Sequence, residues 1–193
     1  MWTYERRLEY PVKICKPDPN AAQLIISQLG GPNGELGASQ RYTMTDRNVA
    51  GCLTDIGTEE LAHMEIIGAI LHQLTRNLTI DQIEKSPFAS YFVDHTAGVW
   101  PSAASGMPFS SATFQCLGDP IADLTEDMAA EQKARVTYDN ILRLVDDPEV
   151  RDPIKFLRER EIVHFQRFGE CLRRVTDCLD SKNFYAVNPS FDR

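Results

Sequence analysis

The stretch Leu53-Thr54-Asp55-Ile56-Gly57-Thr58-Glu59-Glu60-Leu61-Ala62-His63-Met64-Glu65-Ile66-Ile67-Gly68-Ala69-Ile70 decides the architecture. Apolar residues recur in steps of three and four through Leu53, Ile56, Ile67, Ile70 and Leu74, the seam of a helix packed among others. At the centre of that seam stand Glu60 and His63. A second seam near the C-terminus, Ile154, Leu157, Phe168, Cys171, Val175 and Cys178, is interrupted the same way by Glu161 and His164. A third, Leu124, Met128, Tyr138, Leu142 and Val145, carries Glu131 and Arg135. Burying such groups unpaired costs on the order of several kcal/mol each, so something in the core must compensate them.

Punctuation outside the seams sets the helix limits. Asp18-Pro19-Asn20 starts helix 1 over Ala21 to Leu29. Gly30-Gly31-Pro32-Asn33-Gly34 has neither the Lys-Ser/Thr nor the preceding strand of a phosphate loop. It reads as a distorted or bulged part of a helical segment that continues from Glu35 to about Tyr42. Thr45-Asp46-Arg47-Asn48 turns and caps helix 2, which runs to about Asn77. Asp119-Pro120 opens helix 3, to about Asp146, and Asp147-Pro148 or Asp152-Pro153 opens helix 4, to about Leu179. Residues 78–119, rich in proline, have no helical or strand period. A structureless connection of that length is unusual, but a ferritin-like four-helix bundle crosses from its second to its third helix by one long connection. The expected fold is therefore all-α and ferritin-like, a single domain over 1–193, with extended arms at both ends. The aromatic, proline-broken tail Asn183 to Phe191 forms the C-terminal arm.

Composition narrows the function. With 20 Lys and Arg against 28 Asp and Glu the net charge is -8, and the basic residues are interleaved with acids, which argues against nucleic acid as a partner. No apolar run approaches the roughly twenty residues needed to span a bilayer, and Met1 to Arg7 lacks the apolar segment of a signal peptide. Cys15, Cys52, Cys116, Cys171 and Cys178 are odd in number with no CxxC spacing. They read as inert core thiols in a reducing compartment.

Glu60-Leu-Ala-His63 and Glu161-Ile-Val-His164 are the same Glu-x-x-His motif, occurring twice among four histidines. A spacing of three puts carboxylate and imidazole on one helix face, within reach of one metal ion. Antiparallel helices place residues side by side when they are equally far from the shared turn. Glu131 and His164 are symmetric about the Asp147-Pro148 turn, and Glu35 with Glu60/His63 about Asn48, at depths of about 25 and 20 Å for a rise of about 1.5 Å per residue. Four helices thus offer ligands near mid-bundle. Three or four carboxylates with two imidazoles suit two divalent ions such as Mn or Fe, and not thiolate-bound zinc or copper. The competing reading is a metal-free Glu-His and Glu-Arg network with Arg135 as partner of Glu131. Tyr42, two turns after Glu35, is placed either to hydrogen-bond a ligand or to pack in the core, and Tyr138 and Arg135 are inward-facing candidates for the same surroundings. His72 falls off the seam. His95 lies in the crossover and either lines an entrance or has no role.

These residues resemble the manganese catalase family, most closely its spore-coat branch. The resemblance runs through Met1-Trp2 and Leu8-Glu9-Tyr10-Pro11-Val12, Gly30 to Glu35, Thr54 to His63, Gly118-Asp119-Pro120-Ile121-Ala122-Asp123, Ala130-Glu131-Gln132-Lys133-Ala134-Arg135 and Phe156 to Phe165. It implies metal ligands at Glu35, Glu60, His63, Glu131 and His164. Glu161, which the motif alone makes a ligand, becomes a group beside the metals that relays protons, with Tyr42 as a further active-site residue. The implied cofactor is two manganese ions per subunit, with iron as the alternative. The implied reaction is disproportionation of hydrogen peroxide to water and dioxygen. Between Glu35 and Glu60, around Ser39 to Thr43, the chain is shorter than the family pattern. The resemblance also implies a homo-oligomer, such as a hexamer, and spore-coat proteins as partners, in a protein made in the cytoplasm and located at the coat. A coat-building protein with a weak or inactive site, or a di-iron oxidase, is the alternative.

Overall fold

The computed structural model describes residues 5–40, 47–89, 100–114 and 116–181. Among them it is helical, with no strand beyond an isolated bridge between Ser102 and Pro108. Helix α1 (Pro19–Gly30) begins where expected: Asp18 accepts hydrogen bonds from the backbone N–H groups of Asn20 and Ala21, and proline occupies the first turn, where its missing N–H costs nothing. Helix α3 (Arg47–Thr75) carries the first seam. Helix α4 (Ile80–Glu84) is closed by a capping box between Thr79 and Gln82. Helix α5 (Pro120–Leu144) is capped by Asp119, which accepts from Ile121 and Ala122. Helix α6 (Pro148–Ser181) starts at the earlier of the two proposed sites and takes Pro153 into its interior. Arg151 donates to the Val145 carbonyl at 2.8 Å, satisfying backbone at the end of α5.

The Gly-rich segment departs from expectation. The helix breaks completely, and only a four-residue helix α2 (Glu35–Ala38) follows. Pro32 cannot donate to a helical ladder, Gly31 leaves α1 in an extended conformation, and a turn returns through Gly34 N–H to the Gly31 carbonyl at 3.0 Å. A Cβ on Gly34 would stand 2.7 Å from the carbonyl oxygens of Ser27 and Gln28. The turn folds back too closely on α1 for any other residue.

The helices pair α1 and α2 on α3, α3 on α6, α6 on α5, and α5 on α1. Two apolar clusters form. One gathers Ile25, Ile26, Ile66, Ile67, Ile70, Tyr138, Ile141 and Leu157. The other gathers Val49, Leu53, Ile56, Leu124, Phe168 and Val175 toward the opposite end. The N-terminal arm is extended and pinned: Ile14 N–H donates to Gln73 at 2.7 Å, Gln73 donates back to the Val12 carbonyl at 3.0 Å, and Tyr10 stacks on Phe156 at 4.6 Å. Among the described residues, the connection from α3 to α5 contains α4 and a 3-10 turn, Ser111–Thr113, and its Ala104 N–H donates to Ser27 of α1 at 2.7 Å. The C-terminal arm, Tyr42 and His95 lie outside the described residues.

The cysteine expectation needs correction. Cys171 is buried and Cys52 partly so, but Cys15, Cys116 and Cys178 are exposed. His72 is exposed, as its position off the seam implied.

Candidate metal centre

Between the two apolar clusters lies a layer of ionisable side chains. On α3, Glu60 and His63 fall between Ile56 and Ile67. On α6, Glu161 and His164 fall between Leu157 and Phe168. On α5, Glu131 falls between Leu124 and Tyr138, and α2 contributes Glu35. All six are buried. Ligating atoms of Glu60, His63, Glu161 and His164 lie within 4.8 Å of one another. Glu35 and Glu131 join from the flanks, 3.9 Å from His63 Nδ1 and 3.8 Å from His164 Nδ1. Five sequence-predicted ligands and Glu161 are thus brought together from four helices.

The imidazoles stack with centroids 5.4 Å apart and planes 21° apart. Glu60 sits at their inner edge, Oε2 3.0 Å from His63 Nδ1 and Oε1 2.6 Å from His164 Nδ1. The second approach is close but not aligned as a hydrogen bond, and both atoms are without a hydrogen-bond partner. His63 Nε2, His164 Nε2 and Glu161 Oε1 are likewise buried and unpartnered. Polar atoms orphaned in a core are costly; Glu60 Oε1, His164 Nδ1 and Glu161 Oε1 belong to the buried cluster itself, while the two Nε2 atoms face outward toward Glu59. Oxygen and imidazole donors without a thiolate are the set that hard-to-borderline divalent ions prefer, so the residues present fit a metal pair.

Electrostatics in the metal-free layer is that of shared protons. Burial, followed by the charge of Glu60, raises the Glu35 carboxyl well above its ordinary range. Burial and Glu131 do the same to Glu161. Glu131 is raised to about 8 by burial and Glu60. Burial also acts to raise Glu60, but His63 and His164 outweigh it and hold that carboxyl low. Tyr138 donates a hydrogen bond to Glu35 Oε1.

Arg135 does not enter the layer. It pairs with Asp139 and Gln132, both at 2.9 Å, because α5 steps inward from Glu131 to Ala134 and Tyr138 and turns position 135 aside. The Glu131–Arg135 pair of the metal-free reading is absent. Sequence reasoning missed Glu59 and Glu9, whose carboxylates approach the outer edges of the imidazoles. Glu59, four before His63, carries an i, i+4 signal; Glu9 sits on an arm without helical period and carries none.

Comparison with known proteins identifies the family. The chain is 44% identical over 190 residues to Protein CotJC of Bacillus subtilis, covering 96% of this chain and all of that one. It is 34% identical over 200 residues to a probable manganese catalase of Clostridium acetobutylicum, covering 98% of this chain and 88% of the relative. The crystal structure of KatB, a manganese catalase from Anabaena, superposes with a TM-score of 0.80 at 28% identity, covering 97% of this chain and 84% of that one. The ferritin-like fold follows from that match. Residues 1–182 match the family model described as manganese containing catalase, and the chain belongs to that family.

Proposed function

We propose that this protein is a dimanganese catalase that converts two molecules of hydrogen peroxide into two of water and one of dioxygen. The observation that carries the reading is the convergence of buried ligating atoms of Glu60, His63, Glu161 and His164, with Glu60 Oε1, His164 Nδ1 and Glu161 Oε1 unpartnered, in a manganese catalase family member. Glu35, Glu60, His63, Glu131 and His164 would hold the metals; Glu60 turns one oxygen toward each Nδ1. When bound, the pair would supply two-electron redox chemistry toward peroxide. The protein's part is to hold protons where oxygen atoms must gain or lose them. Glu161 suits this: it is buried beside the ligands and its Oε1 is unpartnered, free to take up and return a proton. Tyr138 steadies Glu35 through its hydrogen bond. The apolar clusters above and below exclude water from the layer. Tyr42, outside the described residues, is proposed as a further active-site residue.

Association with a spore coat, with coat proteins as partners, is supported by the 44% identity to Protein CotJC over the whole of that protein. The same likeness favours a second reading, a coat-building protein whose centre turns over weakly or not at all. Purified protein, with metals counted by elemental analysis and dioxygen followed after peroxide addition, decides. About two Mn per chain with oxygen release is expected. Metal without turnover selects the coat protein or a di-iron oxidase, and absence of metal refutes the centre.

A further inference from the structure

We propose that Glu59 is the positioning residue that aims both imidazoles at the centre, each of its two oxygens taking the Nε2–H of one histidine. The inference rests on the reading of the buried layer as a metal centre. A neutral imidazole has one N–H and one lone pair, and the acceptor facing it decides which nitrogen keeps the proton. Here the two edges of each ring face different carboxylates. Both Nδ1 atoms face Glu60, at 3.0 and 2.6 Å. Both Nε2 atoms face Glu59: Oε1 lies 3.6 Å from that of His63 and Oε2 lies 3.3 Å from that of His164. Consecutive residues of α3 thus straddle the ring pair, Glu60 on the metal side and Glu59 behind it. With its N–H turned toward Glu59, each ring presents the Nδ1 lone pair inward, and one carboxylate sets both ligands together.

Glu59 is itself held in place. Arg160 reaches its Oε1 at 2.6 Å and Arg167 stands 4.0 Å from its Oε2, both from α6. The clamp therefore joins the two helices that carry the Glu-x-x-His motifs. The histidines are not equivalent, however. Glu9 of the N-terminal arm offers His63 Nε2 a second acceptor at 3.6 Å, whereas among the described residues the carboxylate facing His164 Nε2 is that of Glu59 alone. Glu9, Glu59 and Arg160 also line a cavity of about 750 Å³, so truncating Glu59 opens space that water can fill and leaves no dry void.

The test compares the wild type with Glu59→Gln, Glu59→Ala and the double variant Glu59→Ala/Glu9→Ala. Manganese affinity is measured by chelator competition, and the imidazole N–H protons of the zinc-loaded, 15N-labelled proteins by NMR. Glu59→Ala is expected to weaken manganese binding about 10- to 100-fold. It should also shift the His164 Nε2–H signal upfield and speed its exchange, while the His63 signal persists through Glu9. The double variant should lose both signals. Glu59→Gln, of equal volume, gives one acceptor and one donor, so an intermediate loss is expected, and it serves as the readout if Glu59→Ala does not fold. Wild-type affinity with unchanged Nε2–H signals in Glu59→Ala, or in Glu59→Gln where that variant stands in, overturns the proposal and leaves the metal centre standing. A wild-type protein that binds neither manganese nor zinc overturns both.

Discussion

Burial alone would lower the pKa of His164, yet the carboxylates of Glu59 and Glu60 outweigh it and hold the imidazole at about 9, above its ordinary 6.5. Stability from that group is complete below pH 6.5 and is lost as pH rises through 9. Glu131 acts in the same direction: neutral in the fold up to about 8 and ionised near 4.5 when unfolded, it makes folding less favourable as pH rises through that interval. The midpoint of thermal unfolding of the metal-free protein should therefore fall between pH 6.5 and 9, as calorimetry in chelator will show. Metal binding displaces these protons, so the stabilisation by added Mn should grow over the same range; a flat or opposite trend counts against the shared-proton layer. Glu131→Gln and His164→Ala should each weaken metal binding by more than the roughly 10- to 100-fold that losing an outer partner costs. Circular dichroism should still report a helical fold. Retained metal and turnover in both variants would sink the ligand assignment. Glu60, His63, Glu161 and His164 were readable in the sequence because each interrupts an apolar period, the one circumstance in which a single chain betrays a buried charge. Glu59 was hidden because its α-helical position reads equally well as a solvated face, and only the stacked imidazoles show what it touches. Arg135 was misplaced because a seam can step inward by three or four residues, and the sequence of α5 allows either.

Among the elements, α2 depends most on its neighbours. Four residues cannot sustain a helix alone, so Glu35 is held at the layer by the Gly31–Gly34 turn and by packing on α1 and α3. Gly34→Ala would drive a methyl group against the Ser27 and Gln28 carbonyls. It should cost about 1–3 kcal/mol, read by urea denaturation, and lower the metal content by displacing Glu35. Unchanged stability would mean that the turn is looser than its geometry. Helix starts were legible because Asp18-Pro19, Asp119-Pro120 and Asp147-Pro148 combine a side-chain cap with a proline that needs no donor. The break at Gly31 was less so. Glycine and proline announce an interruption, but whether the chain bulges or stops depends on how closely the backbone returns to α1, a tertiary matter.

At the scale of the molecule, several large apolar side chains face outward, among them Leu117 at 84% exposure, Ile80 at 75% and Leu144 at 66%. Together with Trp100 and Met107, they are available to the self-association that membership of the family implies. Sedimentation equilibrium should return a multiple of the 21.8 kDa chain mass, and a monomer at micromolar concentration would refute it. The crossover was legible as a necessity of topology and not as a shape: proline and the lack of a period said where helices end, while its docking on α1 rests on the contact between Ala104 and Ser27. The division of the core into two apolar clusters by one charged layer has a consequence for how the bundle finds its alignment. Purely apolar helices can slide past one another by a turn, about 5.4 Å, with little change in what they bury. Here such a slip would set Glu60 or Glu161 against isoleucine and leucine, so the layer works as a notch that admits one alignment. The aliphatic residues on either side are then free to exchange among shapes of similar volume, because the choice of register does not depend on them.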